Sequence, residues 1–224
     1  PALPRSSLPR YVTAEPFGNR GRMAQVKLLL FSDIHEDLKA LEKLAATPAD
    51  VYISAGDLAN WGRGLDACGK ILKRHGEKVW VLPGNHESAG QIERFCAAYG
   101  FRNFHGQAWR LGRYWLAGLG YSNPTPFETP GEYSEAELAD RLEKFAGLEP
   151  LVLICHVPPF GTDLDRVGAG RYGGSTAMKA FLERHPPEYF FCGHIHEAWG
   201  VEMTIGPTRA VNLGRKGYVL ELPG

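Results

Sequence analysis

Tyr189-Phe190-Phe191-Cys192-Gly193-His194-Ile195-His196 is an apolar run that turns through a glycine into two imidazoles with one residue between them. Four consecutive apolar residues suit a strand buried on both faces. In an extended chain residues i and i+2 point to the same side, so His194 and His196 can reach two neighbouring points, such as two metal ions. An isolated H-x-H is only a short match, and its meaning depends on partners elsewhere in the chain.

Working upstream, the same arrangement recurs. Val26 to Phe31 is apolar and runs into Ser32-Asp33-Ile34-His35; Val51 to Ser54 runs into Gly56-Asp57. Lys78 to Leu82 ends in Pro83-Gly84-Asn85-His86-Glu87, and Leu151 to Ile154 ends at Cys155-His156. Between these runs the apolar residues take helical spacing: Leu38, Leu41 and Leu44, then Leu65, Cys68, Ile71 and Leu72. Ser88 with Gln91 and Ser134 with Glu137 read as capping boxes opening two further helices. A hairpin is expected around Trp109 to Leu111 and Tyr114 to Leu116, and strands at Trp199 to Thr204, Thr208 to Leu213 and Tyr218 to Leu222. Ser122 to Phe127 carries prolines that bar helix and central strand, so it is a long ordered loop or a lid.

Composition sets the frame. The 224 residues are 44% hydrophobic and 22% charged with formal net charge +0, which fits a soluble globular domain and gives no global attraction for nucleic acid or membranes. Four scattered cysteines without a C-x-x-C pair favour a reduced, cytoplasmic setting. No apolar stretch approaches the roughly 18 residues of a membrane span. Residues 1–22, with four prolines and four arginines, read as a flexible tail or upstream extension, with Met23 a possible start; a basic arm is the alternative. Residues 23–224 are then one domain.

Asp33, Asp57, Asn85, His86, His156, His194 and His196 each follow an apolar strand closely. In alternating α/β folds ligands bind outside the carboxyl ends of parallel strands, so these loops converge on one crevice. The ordered blocks D-x-H (Asp33, His35), G-D (Gly56, Asp57), G-N-H-E (Gly84 to Glu87), a lone His156 and G-H-x-H (Gly193 to His196) resemble the calcineurin-like metallophosphoesterase superfamily, in its small prokaryotic form. The resemblance spans Asp33 to His196. It implies a layered α-β-β-α sandwich with two mixed sheets and a metal site at the carboxyl ends of the strands.

Mapped residue by residue, the resemblance also implies one ion on Asp33, His35, Asp57 and His196 and a second on Asp57, Asn85, His156 and His194, bridged by Asp57. A carboxylate, amide and imidazole donor set without thiolate suits two divalent transition-metal ions, Mn, Fe or Zn. The expected chemistry is hydrolysis of a small phosphate ester by a metal-bridging hydroxide, with His86 protonating the leaving oxygen or stabilising developing charge. In the protein-phosphatase branch G-D-x-x is followed by aspartate and arginine; here Asn60 and Trp61 stand in those places. Asn60 would therefore orient His86 without adding charge, and phosphodiesters or small organic phosphates are favoured over phosphoproteins. Glu87 supports the ligands or the Ser88 cap. Gly173, Gly174 and Ser175 offer either backbone donors to phosphate or a plain helix cap. His75, His105 and His185 match no block and are expected at the surface or in loops.

Two other readings are a non-catalytic scaffold, whose relatives have lost ligands, and a nuclease, whose relatives carry an added DNA-binding region. The ligand set here is complete, and the chain has neither spare length nor a basic stripe.

Overall fold

The computed structural model describes residues 25–223; the expected tail lies outside them. Five strands form one sheet: β1 (Gln25–Phe31), β2 (Val51–Ser54), β3 (Val79–Val81), the two-residue β4 (Arg102–Asn103) and, from the far end of the chain, β11 (Tyr218–Pro223). Six form the other: β5 (Gln107–Leu111), β6 (Tyr114–Leu119), β7 (Leu151–Cys155), β8 (Tyr189–Cys192), β9 (Glu202–Ile205) and β10 (Thr208–Asn212). Their orders are β11-β1-β2-β3-β4 and β5-β6-β7-β8-β10-β9. The inner strands of each sheet are parallel, whereas β11, β5 and β9 run antiparallel to their neighbours, so both sheets are mixed.

Period-two alternation in β1 explains why two sheets stack. Leu28 and Leu30 join Ile53, Trp80, Leu116, Ile154 and Phe191 in a core between the sheets. Leu29 and Phe31 face the other way, onto Leu41, Leu44, Cys68 and Phe95 of α1 (Leu38–Ala46), α2 (Leu65–Leu72) and α3 (Ala89–Tyr99). The second sheet repeats this: Leu153 and Phe190 meet Leu142 and Phe181 of α4 (Glu135–Glu143) and α5 (Thr176–Arg184). The result is four layers, α-β-β-α. Each central strand is buried on both faces, which is why its sequence reads as unbroken apolar runs.

Both expected capping boxes are present, at Ser88 with Gln91 and Ser134 with Glu137. Asp37 caps α1 by accepting the Ala40 N–H at 3.0 Å. Of the two readings of Gly173 to Ser175, the cap holds: Ser175 Oγ accepts from Met178 N at 3.1 Å. Glu135 accepts from Ser175 Oγ and Ala177 N, each at 2.7 Å, and Asp165 accepts from Gly174 N at 2.9 Å, so these donors are already used. The strand expected from Trp199 begins only at Glu202. His196 to Ala198 form a 3-10 turn instead, and the Trp199 ring packs on the His196 ring with centroids 4.4 Å apart.

The proline-bearing loop is ordered. Ser122 N donates to Gly131 O at 3.0 Å and Tyr133 N to Ser122 O at 2.9 Å, closing the loop at its base. Gly131 N donates to Asn85 O at 2.9 Å, which ties it to the end of β3. Among the described residues no helix is long and apolar enough to cross a membrane.

Candidate metal centre

The parallel pairing aligns the strand ends: Phe31 is level with Ser54, Ser54 with Val81, and Ile154 with Phe191. The loops that follow therefore meet at one edge. Asp33 N donates to Gly56 O at 3.1 Å and His35 N to Asp57 O at 3.0 Å, interlocking the loops after β1 and β2. Asp33, His35, Asp57 and His194 all take left-handed backbone angles, with φ between 45° and 69°. Strained non-glycine backbone of this kind clusters at functional sites. Two glycines permit the crowding: a Cβ on Gly84 would collide with the Asp57 carboxylate, and one on Gly193 with Ser32 and Asp33.

The side chains form two groups that share Asp57. In one, His35 Nε2 lies 3.1 Å from His196 Nε2, 3.9 Å from Asp33 Oδ1 and 3.6 Å from Asp57 Oδ2, with His196 Nε2 3.7 Å from Asp33 Oδ1. In the other, His156 Nε2 is 3.3 Å from Asp57 Oδ2 and 3.1 Å from Asn85 Oδ1, which is 2.9 Å from His194 Nδ1. Atoms bound to one cation at about 2.1 Å lie roughly 3 Å apart, so both spacings suit a shared ion.

Tautomers sharpen the fit. His156 Nδ1 is 2.9 Å from the Ala55 carbonyl, which can only accept, so Nδ1 carries a hydrogen. In the neutral ring Nε2 then presents a lone pair to two acceptors, Asp57 Oδ2 and Asn85 Oδ1. His35 Nδ1 likewise donates to Asn60 Oδ1 at 2.8 Å, and its Nε2 faces Asp33, Asp57 and His196. Converging lone pairs and carboxylates need a positive charge among them. Without a metal, a proton serves: burial opposes it, but Asp57 raises His156 to about 9. Burial also works against the Asp57 charge, yet His156 and His35 hold that carboxyl well below its usual range. Groups built from Asp33, His35, Asp57, His86, His156 and His196 can hold a metal ion on spacing alone.

Glu87 takes the first of its two expected places, and Asn60 a different one from that expected. Buried Glu87 accepts from Asp57 N at 3.0 Å, Gly84 N at 2.9 Å and Ala59 N at 2.9 Å, so it braces the ligand loops; the Ser88 cap is completed by Gln91 instead. Burial, with Asp57 nearby, pushes Glu87 up to about 8. Asn60, expected to orient His86, binds His35. It is the Trp61 backbone N–H that donates to His86 Nδ1, at 3.4 Å, and this places the neutral ring's hydrogen on Nε2. His86 N donates to Asp57 Oδ1 at 2.9 Å, and burial lowers the His86 imidazole. His75 and His105 are half-buried, and His105 lies in a turn as expected: His75 stacks on Tyr52 at 4.0 Å, and His105 sits among Tyr121 and Tyr133.

Two supporting residues went unread in the sequence. Asn85 Nδ2 donates to Thr129 Oγ1 at 3.2 Å, and Asn212 Nδ2 donates to Gly193 O at 3.1 Å and Ile195 O at 3.2 Å, bracing the loop of His194 and His196. Asn212 is the last residue of β10, inside the strand expected from Thr208 to Leu213, so a rule about residues that follow a strand passes over it. No local signal marks Thr129, which is 44 residues from Asn85.

A two-sheet α/β sandwich with a carboxylate, amide and imidazole cluster at its strand ends defines a class of metal-dependent hydrolases. The sequence profile of the calcineurin-like phosphoesterases matches residues 26–198, and the chain belongs to that family. It is 29% identical over 200 residues to the uncharacterized protein MJ1162 of Methanocaldococcus jannaschii, covering 86% of this chain and 90% of that one. The crystal structure of TT1561 of Thermus thermophilus superposes with a TM-score of 0.65 at 19% identity, covering 85% of this chain and 90% of the other. A dimetal phosphatase from Danio rerio gives 0.54 at 13% identity, covering 85% and 88%.

Proposed function

We propose that residues 23–224 form one domain that hydrolyses small phosphate esters, phosphodiesters in particular, with two divalent ions, Mn, Fe or Zn, in a cytoplasmic setting. The observation that carries this reading is Asp57 Oδ2, which lies 3.6 Å from His35 Nε2 and 3.3 Å from His156 Nε2 and so belongs to both groups. Asp33, His35, Asp57 and His196 would hold one ion, and Asp57, Asn85, His156 and His194 the other. Family membership and four buried, unpaired cysteines support the enzyme class and the reducing compartment respectively.

When bound, two such ions supply a nucleophile from water at neutral pH and stabilise charge on the phosphoryl oxygens. The chain's own part is to fix geometry and aim a hydrogen-bond donor. Asp33 and Asp57 bring two negative charges against four positive ones, leaving a net attraction for a phosphate anion. His86, held neutral with Nδ1 accepting from the Trp61 N–H, offers Nε2–H as a hydrogen-bond donor to the charge that develops on the leaving oxygen. Glu87 keeps the Asp57 and Gly84 backbones in register, so the ligands are set before substrate arrives.

The test is a metal-reconstituted screen of an aryl phosphodiester, a phosphomonoester and a nucleotide. Metal-dependent turnover with the diester preferred is expected. A protein that binds the ions and turns over none of them would be the scaffold; tight DNA binding that weakens steeply with salt would favour the nuclease.

A further inference from the structure

Trp61 has a geometry that the steps above leave unused. It is 47% exposed, although it is the bulkiest residue type, and its backbone takes φ 54°, a region a bulky side chain rarely occupies. The turn around it is hydrogen-bonded: Arg63 N donates to Asn60 O at 2.9 Å and Asn60 Oδ1 engages His35, while Gly62 and Gly64 supply the positive φ on either side of Arg63. The Trp61 ring stands 5.8 Å from the His86 ring at 81°, an edge contact. A strained, hydrogen-bonded turn therefore holds a large π surface open to solvent beside the group that faces the leaving oxygen.

We propose that Trp61 is a specificity-determining residue: a platform on which a planar aromatic leaving group, an aryl or arylmethyl ring, stacks while its ester oxygen meets His86. The inference rests on the phosphoesterase reading and adds a substrate class to it. A ring one or two bonds from the ester oxygen lies within the span between His86 and Trp61. A planar π face gains stacking on indole that a puckered saturated ring of the same size lacks.

The test uses the metal-reconstituted full chain and two unreactive probes of matched size, benzylphosphonate and cyclohexylmethylphosphonate, with binding read by calorimetry. The native chain binds the aromatic probe about tenfold more tightly, the scale of one ring stacked on an aromatic side chain. Trp61→Leu, apolar but without a π face, brings the ratio near one, and Trp61→Phe keeps most of it. The ratio of kcat/KM for benzyl against cyclohexylmethyl phosphate esters follows the same order. Equal affinity for both probes in the native chain, or a preference intact in Trp61→Leu, overturns the platform. If that happens while esters are still hydrolysed, the phosphoesterase reading stands; if neither probe binds and no ester turns over, both fall.

Discussion

Thr129 Oγ1 accepts from the Asn85 amide nitrogen at 3.2 Å, which turns Asn85 Oδ1 toward His156 and His194. The hydroxyl is itself directed: it donates to Glu132 Oε1 at 2.5 Å, and the same oxygen accepts from Thr129 N at 2.8 Å and Thr125 Oγ1 at 2.6 Å. A proline-bearing loop thereby sets the face the amide presents to His156 and His194, where the proposed second ion would sit. Outer partners of this kind are worth about 10- to 100-fold in metal affinity. Thr129→Val, isosteric but without the acceptor, should weaken the ion on Asn85, His156 and His194 by that range and leave the other in place. Thr129→Ser should restore it. Metal titration by calorimetry reads the two sites separately; unchanged affinities in Thr129→Val would show that the loop does not orient the amide.

On the proposed reading His86 serves the chemistry and not the metals. His86→Ala should then lower kcat by roughly 10²- to 10³-fold, the scale of one lost hydrogen-bond donor to developing charge, while bound metal is retained. Equal losses of turnover and metal would make His86 a ligand instead.

His105 gives a pH signature away from the ligands. Gly120 N donates to its Nδ1 at 3.0 Å, Tyr133 OH lies 3.1 Å from Nε2, and burial, aided by the Arg141 charge, lowers it to about 4. The unfolded chain, with an ordinary imidazole near 6.5, takes up the proton first as pH falls. His105 therefore contributes stability above pH ~6.5 that is lost as pH falls toward 4, up to about 2 kcal/mol by pH 5. Chemical denaturation at pH 7 and pH 5 should show a smaller acid loss in His105→Gln than in the native chain. Identical losses would place His105 in an ordinary solvated environment.

How much of this was legible in the sequence follows from what kind of interaction each part uses. Strands such as Val26 to Phe31 and Leu151 to Ile154 announce themselves because burial on both faces demands apolar residues at every position. The polar residues after them stand out by contrast, and the two capping boxes are local by nature. Supporting contacts are different. Asn60 reaches His35 rather than His86, and Thr129 reaches Asn85, through loops whose course depends on tertiary packing. The strand expected at Trp199 starts at Glu202 for a similar reason: the Trp199 ring packs on His196, and the chain turns before it pairs.

The central claim is that Asp57 joins two ions, and counting metal in one variant tests it most directly. Asp57→Asn keeps the size of the side chain and removes the charge shared by His35 and His156. Elemental analysis after reconstitution and desalting should find two ions per native chain and fewer than one in Asp57→Asn, with phosphodiester turnover lost in parallel. Two tightly held ions in Asp57→Asn would contradict the shared carboxylate.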